Sequence, residues 1–165
     1  MRYPSVRKLG SGAFVLRDLP PLITQALQRL PEILADDAPG IARRASPDAY
    51  VDDAERNEEW RRFAAPELRH LFVSAREIVT RDLEGLKRGR GLARRGWRLE
   101  IPPEHLTAWL SSLAAARVAL GEAHELDAAM LEKELPPVLT SQAERATLLI
   151  HLLGWVQGLL VEAGA

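Results

Sequence analysis

The segment from Ala143 to Ala163 constrains the fold most, because it is too apolar for a surface helix and too interrupted for a membrane span. At 100° per residue, Leu148, Leu149, Ile150, Leu152, Leu153, Trp155, Val156, Leu159, Leu160 and Val161 cover most of its circumference. Glu144, Thr147, His151, Gly154, Gly158 and Glu162 leave only a narrow polar or small strip. A helix of that kind belongs in the middle of other helices. The expected fold is therefore mainly α, a single-domain helical bundle spanning 1–165 around a buried C-terminal helix.

Composition narrows the class. A chain of 165 residues fits one domain and buries roughly 70% of its unfolded surface, enough for a core without staples. It has no cysteine, which removes disulfides, thiolate metal ligands and cysteine nucleophiles and fits a reducing compartment. Arg2, Tyr3 and Pro4 follow Met1 with no apolar segment behind them, so no secretory signal is read and the cytoplasm is the expected location. No membrane association is expected. A net charge of −1 excludes a globally basic nucleic-acid binder.

Charge is nonetheless segregated. Asp48, Asp52, Asp53, Glu55, Glu58 and Glu59 stand against a single Arg56, whereas Lys87, Arg88, Arg90, Arg94, Arg95 and Arg98 occur with no acid among them. These segments are expected to be solvated faces or to pair loosely with each other, with contact to an acidic partner as the alternative.

Along the chain, Val6–Leu9 and Ala13–Leu16 flank Gly10, Ser11 and Gly12 and read as a β-hairpin over about 5–17. Asp18 is expected to cap a helix starting near Leu19, which Pro31 should kink or restart. Ser46 and Pro47 read as a helix start, an acidic helix should run from about Asp52 to Phe63, and Pro66 opens a half-buried helix. Gly89, Gly91 and Gly96 make about 88–96 a flexible basic connector. A short strand near 97–101 could join the hairpin. Leu106, Trp109, Leu110, Leu113, Ala116 and Leu120 mark the inward side of the next helix, a short one follows Asp127, and Ser141 with Glu144 is a capping box.

No motif names a chemistry. The chain has no G-x-S-x-G elbow, Walker A loop, G-x-G-x-x-G or H-E-x-x-H. Glu67 and His70 have a Glu-x-x-His spacing without the second pair that a di-metal bundle needs, and His105 and His124 read as surface residues, so no metal or cofactor is expected. His151 reads as a hydrogen-bonded structural residue. Gly154 and Gly158 form a GxxxG, taken as a groove for a neighbouring helix backbone or for a twin subunit. Arg117 projects from or beside an apolar face; an internal salt bridge fixing helix register is the first expectation, with an edge position or a partner contact as the others.

Trp109-Leu110-Ser111-Ser112-Leu113 followed by Arg117-Val118-Ala119-Leu120-Gly121 resembles a segment of the bacterial domain-of-unknown-function family number two thousand and seventeen. The hairpin with its proline-bounded helix, the acidic start at Asp52 and Asp53, Glu58 and Glu59, and the closing Leu-Gly-Trp-Val-Gln helix are similar as well. The resemblance covers nearly the whole chain and rests on packing motifs that carry no chemistry. It implies a small helical cytoplasmic protein, often encoded beside the ClpS-type adaptor of regulated proteolysis and near genes for sulfur-carrier transfer.

The sequence thus points first to a non-enzymatic protein-interaction or accessory factor with a protein partner or a homodimeric state. Its charged faces, Trp109, Arg117, Gly121 and the Gly154/Gly158 side are the candidate contact elements. The alternative is a nucleic-acid-binding regulator that sets Arg90, Arg94, Arg95 and Arg98 on phosphates, with Trp97 for stacking. A metal-dependent enzyme built on Glu67, His70 and the acidic helix is the third reading.

Overall fold

The computed structural model describes residues 3–38, 40–41, 47–89 and 96–165. Strands β1 (Ser5–Lys8) and β2 (Phe14–Leu19) form the expected hairpin, Ser5 opposite Arg17 and Lys8 opposite Phe14. Strand β4 (Trp97–Ile101) joins it antiparallel, pairing Phe14 with Ile101 and Leu16 with Leu99. Lys87 and Arg88 form a further strand, β3, on the other side of β4, so the order is β1-β2-β4-β3. Of the flexible connector expected over about 88–96, Arg88 and Gly89 instead belong to the sheet: Arg88 is opposite Trp97, and Gly89 donates its N–H to the Gly96 carbonyl at 2.9 Å, while residues 90–95 lie outside the described residues.

Asp18 does not cap a helix. It sits inside β2, and α1 (Pro21–Gln28) begins with Pro20 at its N-cap. α2 (Leu30–Ile33) then restarts after Arg29, because Pro31 is tolerated only in a first turn. Ser46 lies outside the described residues and Pro47 is in no helix; α3 (Ala54–Phe63) starts later, with the Asp53 carboxylate accepting from Arg56 N–H. α4 (Ala65–Leu83) opens around Pro66 as expected. A 3-10 turn at Pro103–His105 leads into α5 (Leu106–Ala123), and Asp127 caps the short α6 (Ala128–Glu132). The Ser141 and Glu144 capping box opens α7 (Gln142–Gly164).

The hydrophobic core joins one sheet face, through Phe14, Leu16, Leu19, Leu99 and Ile101, to the inner sides of the helices. α5 packs against α2, α4 and α7, and buries Trp109, Ser112, Leu113, Ala115, Ala116, Ala119 and Leu120. Its alanines let the neighbours approach on more than one side. α7 by contrast is enclosed on one side only. It packs on α5, α1 and β1 through Ala146, Thr147, Ile150, Leu153, Val156 and Leu160. Trp155 and Val161 remain 40% and 51% exposed. α7 meets the length and composition of a membrane-crossing helix, yet its inner stripe belongs to this core. Hence the expected central rod is half-buried, and α5 takes the enclosed place, because the four-stranded sheet covers core that a pure bundle would give to helices.

Candidate functional site

Strand alternation sorts the sheet residues. Leu99 and Ile101 enter the core, so Arg98 and Glu100 turn to the opposite face; Phe14 and Leu16 enter it, so Arg17 turns away with them. Residues directly opposite in an antiparallel pair share a face, which adds Arg7 and Ser5 on β1 and Lys87 on β3. A row of cations thus crosses the sheet on its outer side. A concavity of about 590 Å³ opens there, lined by Arg7, Arg17, Lys87, Arg88, Trp97 and Arg98 among others, with Asp18 the one carboxylate in its lining among the described residues.

A β-bulge shapes this concavity. Between the pairs Leu16/Leu99 and Leu19/Trp97, β2 has two residues, Arg17 and Asp18, where β4 has only Arg98. Asp18 absorbs the extra residue with φ +54°, a conformation that aspartate tolerates better than most side chains. Gly96 lies directly against it: a Cβ at position 96 would come within 2.5 Å of Asp18 Cα and carbonyl carbon. Arg98 Nη2 meets Glu100 Oε2 at 3.0 Å, while Arg98 Nε is enclosed and has no hydrogen-bond partner among the described residues.

Trp97 also lines this concavity. It has the alternation of Leu99 and Ile101, packs against the core, and carries the Arg88 guanidinium 5.6 Å from its ring centroid. The ring expected to stack beside the basic loop thus borders the cationic concavity, with the Arg88 guanidinium over it. Arg90, Arg94 and Arg95 lie outside the described residues. Sequence reasoning named Lys87, Arg88 and Arg98 within the basic stretch but missed Arg7 and Arg17, whose signal was their alternate polar position in the hairpin.

The remaining candidates stand elsewhere. Trp109 is fully buried and donates its indole N–H to Asp82 Oδ2 at 2.8 Å; His105 Nδ1 lies 3.0 Å from the same carboxylate. Arg117 Nη1 donates to Gln157 Oε1 at 2.9 Å, so a neutral amide stands where a carboxylate was expected. Its Nε is enclosed and without a partner among the described residues. Gly154 is a notch for this side chain and not for a helix backbone, since a Cβ there would meet Arg117 Nε at 3.1 Å. Gly158 is exposed, and a Cβ on Gly121 or Gly158 would meet open space. His151 Nε2 lies 2.9 Å from the Leu131 carbonyl oxygen, a structural bond.

Glu67 and His70 are both exposed, and no three potential ligands converge on a metal position among the described residues. The acidic and basic segments do not pair with each other among the described residues. Asp48 instead takes Arg61 through two bonds of 2.8 and 2.9 Å, and Asp53 pairs with Arg56. The Asn57 amide and the Arg61 guanidinium hold the Asp48 carboxyl below the usual carboxylate range.

Residues 13–164 match the family described as Domain of unknown function (DUF2017). No curated protein and no solved structure is matched.

Proposed function

The chain belongs to the DUF2017 family, and on that premise we propose that it is a non-enzymatic binding factor that holds an anionic partner on the outer face of its sheet. The observation that carries this reading is the convergence of Arg7, Arg17, Lys87, Arg88 and Arg98 on one concavity against a single carboxylate among the described residues. Such a surface attracts a negatively charged partner over a range of about a Debye length, roughly 8 Å at physiological salt, and its arginines offer planar forks to carboxylate or phosphate oxygens. A binding role also suits the Asp82 and His105 pair, whose carboxylate is already committed to the Trp109 indole.

A surface bearing immobilised polyglutamate or heparin provides the test. Wild-type protein should bind both at low salt and elute as salt rises. The Arg17→Gln/Arg98→Gln variant should lose most of the signal. Equal retention of the variant would overturn the reading.

A second surface favours a protein partner. The groove of about 370 Å³ between α5 and α7, lined by Ala114, Arg117, Val118, Leu131 and Ile150 among others, is largely apolar. Among the described residues, Arg117 meets no carboxylate within ion-pair distance there. A partner segment presenting one acidic side chain among apolar ones complements that groove. An accessory role beside regulated proteolysis or sulfur-carrier processing is the cellular setting that this reading adopts, in the cytoplasm. Self-association, if used, would draw on Gly158, Trp155 and Val161, the open side of α7.

A further inference from the structure

Resting on the sheet-face reading, we infer that the ligand of the 590 Å³ concavity carries two or more linked phosphates. The register supplies the first argument. Lys87 is directly opposite Arg98 on β3 and β4, and Arg17 stands at the bulge facing Arg98 from β2. Like charges directly opposite one another in an antiparallel pair oppose pairing. Three cations in a row across three strands are therefore a fold-level cost that a bound polyanion relieves. At ~4.8 Å between strands the row spans roughly 9.5 Å, more than one carboxylate can bridge.

Charge density supplies the second. Among the described residues, five cations and one carboxylate line the concavity, and Glu100 engages Arg98 through Nη2 while Nε has no acceptor. A diphosphate concentrates several acceptor oxygens and more than one negative charge in a compact body. Carboxylates on one face of an extended acidic peptide bring a single charge each and recur only every ~6.6 Å. Arginine, the majority cation here, bonds phosphate in bidentate fashion.

The third argument concerns what the site does not read. Trp97 is the one aromatic ring in the lining among the described residues, and it packs against the core with the Arg88 guanidinium 5.6 Å from its ring centroid. A nucleobase would have to displace that guanidinium to stack on the ring. The phosphates are the recognised part, and the attached group is not.

Isothermal titration calorimetry on the full chain at low ionic strength, with inorganic pyrophosphate, ADP, GDP, a ten-residue thymidine oligonucleotide and hexaglutamate, decides the matter. Pyrophosphate, ADP and GDP should each saturate at one site, with affinities within about threefold of one another and falling as salt rises. Arg17→Gln/Arg98→Gln should weaken them at least tenfold. Arg61→Gln, which removes a cation paired to Asp48 elsewhere, should not. Lys87→Gln, at an exposed position, replaces the double variant if circular dichroism shows that the latter fails to fold. Binding of the oligonucleotide alone would overturn the linked-phosphate inference and assign the face to a nucleic-acid strand. Hexaglutamate binding as tightly as pyrophosphate would overturn the inference while leaving anion docking intact, and silence of all five would overturn both. A tenfold preference for ADP or GDP over pyrophosphate would overturn the base-blind site.

Discussion

Gly96 packs so closely beneath Asp18 that a Cβ at position 96 would stand 2.5 Å from Asp18 Cα and 2.9 Å from the Leu19 nitrogen. The contact is backbone against backbone, so no side chain can swing aside. It locks β4 against the bulge that sets Arg17 beside Arg98. Gly96→Ala should cost about 3 kcal/mol, the upper end of an overpacking penalty, and weaken anion binding with it. Asp18→Gly keeps the φ +54° conformation without strain and should change stability by less than about 1 kcal/mol. Urea unfolding of both variants checks the pair.

Asp82 ties α4 to α5. Its carboxylate accepts from Trp109 Nε1 at 2.8 Å, and the Asp82 side chain is only 8% exposed. Asp82→Ala leaves a buried indole N–H without a partner and should cost about 1–3 kcal/mol. Trp109→Phe removes the donor as well as some packing. A double-mutant cycle in urea should show a coupling energy of about 1 kcal/mol between the two positions.

Glu144 gives stability a pH dependence of known sign. Backbone N–H groups of Ser141 and Thr140 hold its carboxyl below the ordinary glutamate range, the Thr140 N–H at 2.7 Å. A depressed folded-state value means that the capping box stabilises α7 above the ordinary glutamate range. That contribution fades as pH falls through the lowered value. In thermal melts between pH 7 and pH 3, Glu144→Gln should lower Tm at pH 7 and narrow its difference from wild type towards pH 3. A constant difference at every pH would refute this.

The half-buried state of α7 separates two substitutions on one helix. Leu153 is fully buried, and Leu153→Ala should cost about 2–5 kcal/mol. Trp155 is 40% exposed, and Trp155→Gln should cost well under half as much. Comparable losses at both positions would restore the enclosed rod that residue types alone suggest.

Much of this architecture can be read from the chain, and the failures have physical causes. The capping box, the Pro31 restart and the strand at Trp97–Ile101 follow from local rules, which act within a few residues and survive any tertiary arrangement. The enclosure of α7 depends on which elements cover it, a long-range matter that its own apolar residues do not encode. Asp18 shows the same limit in small. Its sequence context suits a helix cap, and only the pairing of β2 with β4 reveals a bulge. The cationic face is assembled from four strands, two of them separated by most of the helical N-terminal half, so Arg7 and Arg17 gain their meaning only from the register. Arg117 fits an ion pair by pattern, but Gln157 reaches it first from the facing helix.

The most direct measurement of the central claim is a titration of ¹⁵N-labelled protein with sodium polyphosphate, followed through the arginine Nε–H resonances. Those of Arg7, Arg17 and Arg98 should move in a saturable, salt-sensitive manner while Arg61 and Arg145 stay in place. Shifts spread evenly over all arginines, or none at Arg17 and Arg98, would contradict an anion site on the outer face of this sheet.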